Sequence, residues 1–266
     1  MSEQERKKLY GRAELKKYFR NGQIPSEIHF GYLIDSVIVQ HDDGISKDEE
    51  NGYIISPIGS SKRLITFYKN MDRLEPYFYM DKDGQEYPSL KLIPGTDGLS
   101  EKEQENLSTF FHQNGSIGLG KRSDPKLKLD VRGLVGVNGR VGTHRIGTVP
   151  ADGKWHKIVE GLDNCQAFEI MARTGRKGTG KFSIMHAVAL SAFGRSRGKI
   201  RKTVSYFGFF WNRLNLRWTG TTHDFALEMK TNRNYGSGVD IYYNVSKLWD
   251  DEAFMPDDCY YRKTKK

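Results

Sequence analysis

Three sets of residues in this sequence have the types and spacing that invite a chemical reading. "GRKGTGKF" puts Gly175, Gly180 and Lys181 at the interval of a loop that cradles nucleotide phosphates with backbone N–H groups. That chemistry also needs a Ser or Thr hydroxyl next in line, to hold magnesium, and a helix opening onto the phosphates. The next residue is Phe182 and "FSIMHAVAL" reads as a strand, so a basic hairpin loop is expected instead. The histidines are His29, His41, His112, His144, His156, His186 and His223. They form no H-x-H or H-x-x-x-H pair and have no cysteine cluster beside them, so no metal site is expected. His223 adjoins Asp224, but no nucleophile accompanies them to make a catalytic set. The pairs Asp42–Asp43, Asp250–Asp251 and Asp257–Asp258 adjoin turns, and neighbours on an extended chain project in opposite directions. A glycosidase needs two converging acids, for which Glu160, Glu169 and Glu228 are the strand-borne candidates. The expectation is a protein without catalytic residues, metal or cofactor.

Charge is the stronger signal. Lys and Arg number 42 against 33 Asp and Glu, a formal net charge of +9. Such a balance favours polyanionic partners without naming one. One loop offers Arg176, Lys177 and Lys181; "GRSRGKIRK" offers Arg195, Arg197, Lys199, Arg201 and Lys202. If consecutive strands pair as hairpins, both loops fall at rims of a β domain. An anionic cell-surface polysaccharide or phosphate-bearing lipid headgroups would suit them. Nucleic acid fits less well, because no recognition helix or binding signature is visible. Tyr235, Tyr242, Tyr243, Tyr260 and Tyr261 are candidate rings for stacking on sugars, although strand packing suits Tyr242, Tyr243 and Trp249 better.

The elements that must carry these residues are mostly strands. Glycine is abundant at 28, Tyr and Phe contribute 14 each, and mean hydropathy is −0.66. That composition favours strands joined by tight turns and a thin core, or one completed by a partner chain. The first forty residues read as helical. "RAELKKYFRNG" ends in an Asn-Gly stop, and Phe30, Leu33, Ile34, Val37 and Ile38 recur at helical spacing behind Pro25 and Ser26. Their apolar face has no evident cover within its own segment. Residues 46–113 alternate short strands with turns, and residues 141–266 hold six or more strands, among them "FALEMK" with its alternating faces. The aromatic run Tyr206–Trp218 is expected to be the central core strand. No apolar run is long enough to span a membrane. The first residues lack the apolar region of a signal peptide, so synthesis in the cytoplasm is expected. Cys165 and Cys259 read as two reduced thiols.

Between these regions lies "NGSIGLGKRSDPKLKLDVRG", residues 114–133. It resembles the G-x-V-G-I-G-T…P…K-L-D-V-x-G element of bacteriophage tail fibres and related bacterial surface fibres. The matching residues are Gly115, Ile117, Gly118, Leu119 and Gly120, then Pro125, Leu127, Leu129, Asp130, Val131 and Gly133, with Lys121 where threonine is usual. "LKKYFRNGQIPSEIHFGYLIDSVI" is similar to an N-terminal segment of tail-fibre-like proteins of contractile injection systems, and the C-terminal region resembles their head domain in Bacteroidota. The resemblance implies N-terminal attachment and trimerisation helices (residues 1–45), a small β-rich region (46–113), a glycine-punctuated intertwined β neck (114–140) and an antiparallel β-sandwich or jelly-roll head (141–266). It further implies a homotrimer joined to baseplate or other tail-like proteins in a phage-tail-like particle. Ile117, Leu119, Leu127, Leu129 and Val131 would be buried against sister chains in the neck. A non-adhesive baseplate or cap protein and a carbohydrate-active β-sandwich enzyme are the alternatives.

Overall fold

The computed structural model describes residues 10–40, 42–70, 75–84, 87–95 and 98–262, which leaves His41 outside the described residues. The protein is mostly β and divides into two compact units between Val135 and Gly136.

The first unit opens with α1 (Arg12–Tyr18) and α2 (Glu27–Ile34). Tyr18 stacks on His29 with centroids 4.3 Å apart, and Phe19 meets Phe30 edge-on at 5.4 Å. α2 is shorter than its apolar spacing suggests. The Ser36 hydroxyl donates to the Tyr32 carbonyl, and the Ser36 and Val37 amides reach back three residues, closing the last turn early. Val37 and Ile38 therefore lie beyond the helix, and all five apolar residues of this segment are exposed. A hairpin of β1 (Ile45–Asp48) and β2 (Gly52–Ile55) follows.

The six-stranded sheet of this unit runs in chain order: β3 (Arg63–Tyr68), β4 (Pro76–Asp83), β5 (Ser89–Pro94), β6 (Thr109–His112), β7 (Ile117–Leu119) and β8 (Leu129–Val131). Between β5 and β6 sits α3 (Glu101–Leu107), whose N-cap Ser100 and Glu103 bond reciprocally. Within one chain the glycine-rich stretch is thus the edge of a sheet, with β7 antiparallel to β6 and β8 parallel to β7. Gly118 is obligatory here, since a Cβ would lie 2.1 Å from the Lys121 carbonyl oxygen. The turn between β7 and β8 is held by its own polar groups. The Ser123 amide donates to His112 Nε2, the Asp124 amide to Asp130, and Lys121 pairs with Asp130 at 2.8 Å.

The second unit is an antiparallel β-sandwich built from β9 (Arg145–Pro150), β10 (His156–Leu162), β11 (Gln166–Gly175), β12 (Phe182–Ser191), β13 (Lys199–Phe207), β14 (Leu214–Gly220), β15 (Phe225–Thr231) and β16 (Asp240–Trp249), followed by α4 (Asp251–Phe254). One sheet has the order β13-β12-β11-β16-β9 and the other β10-β15-β14. Alternation decides the inner faces. Phe168, Ile170 and Ala172 of β11, Met185, Ala187 and Ala189 of β12, and Phe225, Leu227 and Met229 of β15 meet in one core. The other face of β15 is covered as well, with Ala226 buried and the buried Glu228 paired with Arg217 of β14.

The run Tyr206–Trp218 is not a single core strand. β13 stops at Phe207, a loop spans 208–213, and β14 begins at Leu214 in the opposite sheet. Gly208 adopts φ +87°, where a side chain would be strained, and the Asn212 side chain bonds the Phe207 carbonyl at 2.9 Å to close the loop. β13 is an edge strand, and β11 is the central one of its sheet.

Candidate functional site

The β-sandwich register sorts the basic residues. β11 and β12 pair from Gly175–Phe182 to Gln166–Ser191, and β12 and β13 pair from Phe182–Phe207 to Leu190–Lys199. The loops 176–181 and 208–213 therefore leave one end of the sandwich, and the loop 192–198 leaves the other. Arg176, Lys177 and Lys181 stay together, whereas Arg195 and Arg197 lie at the opposite end. Lys199 and Arg201 are on β13 itself and face outward. Lys202 bonds the Asn215 side chain and the Leu214 carbonyl, so it serves packing between sheets, and its burial lowers its pKa. Of the eight cations, three thus stay together at one end, two lie at the other, and three belong to β13.

The end with Arg176, Lys177 and Lys181 also carries the loop "FGFFWN". Phe209 and Phe210 are 63% and 61% exposed, Phe207 is similarly open, and Trp211 is partly exposed. Phe209 stacks on Trp211 with centroids 4.7 Å apart and planes 19° apart, and Phe210 meets the same indole at 4.7 Å. The backbone beneath them is fixed. Asn212 is buried, its amide donates to the Phe209 carbonyl at 2.9 Å, and its own carbonyl accepts the Tyr235 hydroxyl at 2.7 Å. Tyr235 is accordingly a buried support and not a sugar-stacking ring. Burial pushes its pKa up to about 12. The two loops touch: a Cβ on Gly208 would lie 3.1 Å from the Gly180 carbonyl oxygen. The Thr179 hydroxyl ties the Arg176 and Lys181 backbones together, but among the described residues the side chains of Arg176, Lys177 and Lys181 make no ion pair or hydrogen bond, while Arg213 is held by Tyr206 through a ring contact and a hydrogen bond. Sequence reasoning missed this aromatic loop. The usable signal was Phe209-Phe210-Trp211, three consecutive rings that break strand alternation between Gly208 and Asn212.

The opposite end is mixed in charge. A polar cleft of about 680 Å³ is lined by Asp163, Asp250, Asp257, Tyr260, Tyr261 and Arg262, among others. Asn164 exchanges two hydrogen bonds with the Tyr261 backbone, and His223 bonds Asp163 at 3.1 Å, not its neighbour Asp224. Cys165 and Cys259 are both free thiols.

The strand-borne acids do not converge. Glu160 is exposed near Lys157, Glu228 pairs with Arg217 on the three-stranded sheet, and Glu169 lies on the outer face of the five-stranded sheet. There Arg140 donates to both Glu169 oxygens, at 2.8 and 2.6 Å, and His186 adds a bond at 2.9 Å. Among the described residues no group of three or more His, Cys, Asp or Glu side chains is arranged to hold a metal ion, and no helix is long and apolar enough to cross a membrane. The residues expected to line a neck remain open in one chain: Leu129 is 58% exposed, Leu119 is exposed, and Ile117, Leu127 and Val131 are half-buried.

Fold and surface together define a mostly β protein whose C-terminal β-sandwich presents a basic, aromatic tip. No protein-family model matches the chain, and no curated protein matches it.

Proposed function

We propose that this chain is a non-enzymatic, homotrimeric, tail-fibre-like component of a phage-tail-derived contractile apparatus, which attaches the particle to a cell surface. The observation that carries the reading is the amount of apolar surface a single chain leaves bare. Phe30, Leu33, Ile34, Val37 and Ile38 are exposed near the N-terminus, and Leu119 and Leu129 at the sheet edge; Leu134, Val135, Val137 and Val141 are exposed in the irregular segment beyond it. Scattered exposed aliphatics are ordinary, but runs of them belong to interfaces. Copies around a common axis would cover such runs, and threefold repetition would let modest affinity at each tip give firm attachment. Baseplate or other tail-like proteins would hold the N-terminal segment. The chain acts by binding, with no turnover.

Replacing Leu119 and Leu129 together by Ser tests the reading. Light scattering should show the wild type as three chains and the variant as fewer, with unchanged circular dichroism. A variant that keeps the wild-type mass would remove the neck from the account.

A further inference from the structure

We propose that the tip formed by residues 207–213 and 176–181 is a lipid-surface anchor, which seats Phe209, Phe210 and Trp211 in the interfacial layer of a bilayer while Arg176, Lys177 and Lys181 meet anionic headgroups. The inference rests on the attachment reading for its purpose, and it names the surface that is bound.

Apolar rings at a loop tip are costly in water, and the unit leaves Phe209 and Phe210 more than half exposed, with Trp211 partly covered by them. Their support is rigid: the buried Asn212 and the Tyr235 hydroxyl hold the loop open, so the rings do not fold back onto the core. Three cationic side chains that have no partner among the described residues stand on the touching loop. Aromatic rings flanked by Lys and Arg are the composition that settles at the boundary of headgroups and acyl chains.

Sugar recognition is the competing use of exposed rings, and the loop is poorly made for it. Stacking on a sugar needs a free ring face with hydrogen-bonding side chains alongside. Phe209 and Trp211 already turn faces to one another, Phe207 to Trp211 offers a single neutral side-chain polar group, the indole N–H, and the donors alongside are the cations of the touching loop, which suit a phosphate. An apolar phase asks for no such partners.

Flotation of the full chain with vesicles, alongside Trp fluorescence, tests the proposal. The vesicles are phosphatidylcholine alone or mixed with phosphatidylglycerol. The chain should float with the mixed vesicles, and acyl chains brominated near the headgroup should quench its emission. Trp211→Phe should remove that quenching. Phe209→Ser with Phe210→Ser should cut partitioning at least about tenfold, from loss of ring burial. Phe210→Ser alone serves if the double variant folds poorly. Arg176→Gln, Lys177→Gln and Lys181→Gln should each cost about fivefold on the anionic vesicles and little on neutral ones.

Wild-type chain that floats with neither vesicle overturns the proposal. So does flotation indifferent to the phenylalanine changes. Binding to a soluble anionic polysaccharide, lost with the same variants while vesicles stay unbound, would reassign the tip to glycan. Light scattering on the same samples keeps the outcomes separate, since a trimer that ignores vesicles loses only the lipid anchor.

Discussion

Tyr235 offers a test of how the aromatic tip is held. The residue is 3% exposed, and its hydroxyl donates to the Asn212 carbonyl at 2.7 Å. Burial raises its pKa from 10.0 to about 12, with Arg233 pulling weakly the other way. An unfolded tyrosine gives up its proton near pH 10, whereas the folded one keeps it until about pH 12. The group's contribution is therefore fully present below pH 10 and is lost as pH rises towards 12. Two units correspond to about 3 kcal/mol at that limit. Tyr235→Phe keeps the ring and removes the hydroxyl, which at neutral pH costs about 1–2 kcal/mol because the Asn212 carbonyl loses its donor. Urea unfolding of both proteins from neutral to strongly alkaline pH should show the wild type more stable at first and the two curves crossing above pH 10. Burial also raises Tyr243, which titrates in both proteins and so cancels in the comparison. A constant offset across the whole range would refute the reasoning, because it would mean that Tyr235 titrates like an exposed phenol.

Gly194→Ala should destabilise the β-sandwich by about 1–3 kcal/mol in urea unfolding, because a Cβ there would lie 1.6 Å from the Thr221 carbonyl oxygen and backbone must move. Leu227→Ala, at a site with no exposure in the shared core, should cost about 2–5 kcal/mol by the same measurement. Asp130 is held below the usual carboxylate range by its hydrogen bond from Lys121 and then by the Asp124 amide. Its contribution is present above the ordinary carboxylate pKa and is lost as pH falls through the lowered value, so Asp130→Asn should weaken the first unit at neutral pH and matter less in acid. Thermal unfolding at the two pH values checks that difference.

Much of the β-sandwich was legible because burial on one face writes itself as alternation. "KFSIMHAVAL" and "FALEMK" place their inner residues every second position, and the structure buries Met185, Ala187, Ala189, Phe225, Leu227 and Met229 accordingly. The hairpin nature of "GRKGTGKF" was equally plain, because Phe182 starts a strand where a phosphate loop needs a helix. The aromatic tip was misread because hydrophobicity alone does not say which side of a surface a ring occupies. Phe207 and Phe209 keep strand spacing, which masks the break made by the consecutive rings Phe209-Phe210-Trp211, and the bonds of Asn212 and Tyr235 hold the loop that carries them. The separation of the basic loops follows from the hairpins expected from the sequence. Both flank β12, and which end of a sandwich a loop occupies depends on strand direction, not on proximity in the chain. In α2 the helical spacing ran past Ile34, but the Ser36 hydroxyl, bonded to the Tyr32 carbonyl, ends the helix before Val37.

Sedimentation equilibrium of the full chain over a wide concentration range tests whether the chain assembles as a trimer. The expected result is a particle of roughly three times the 30.5 kDa chain mass, stable on dilution. A particle of one chain mass at every concentration would contradict it.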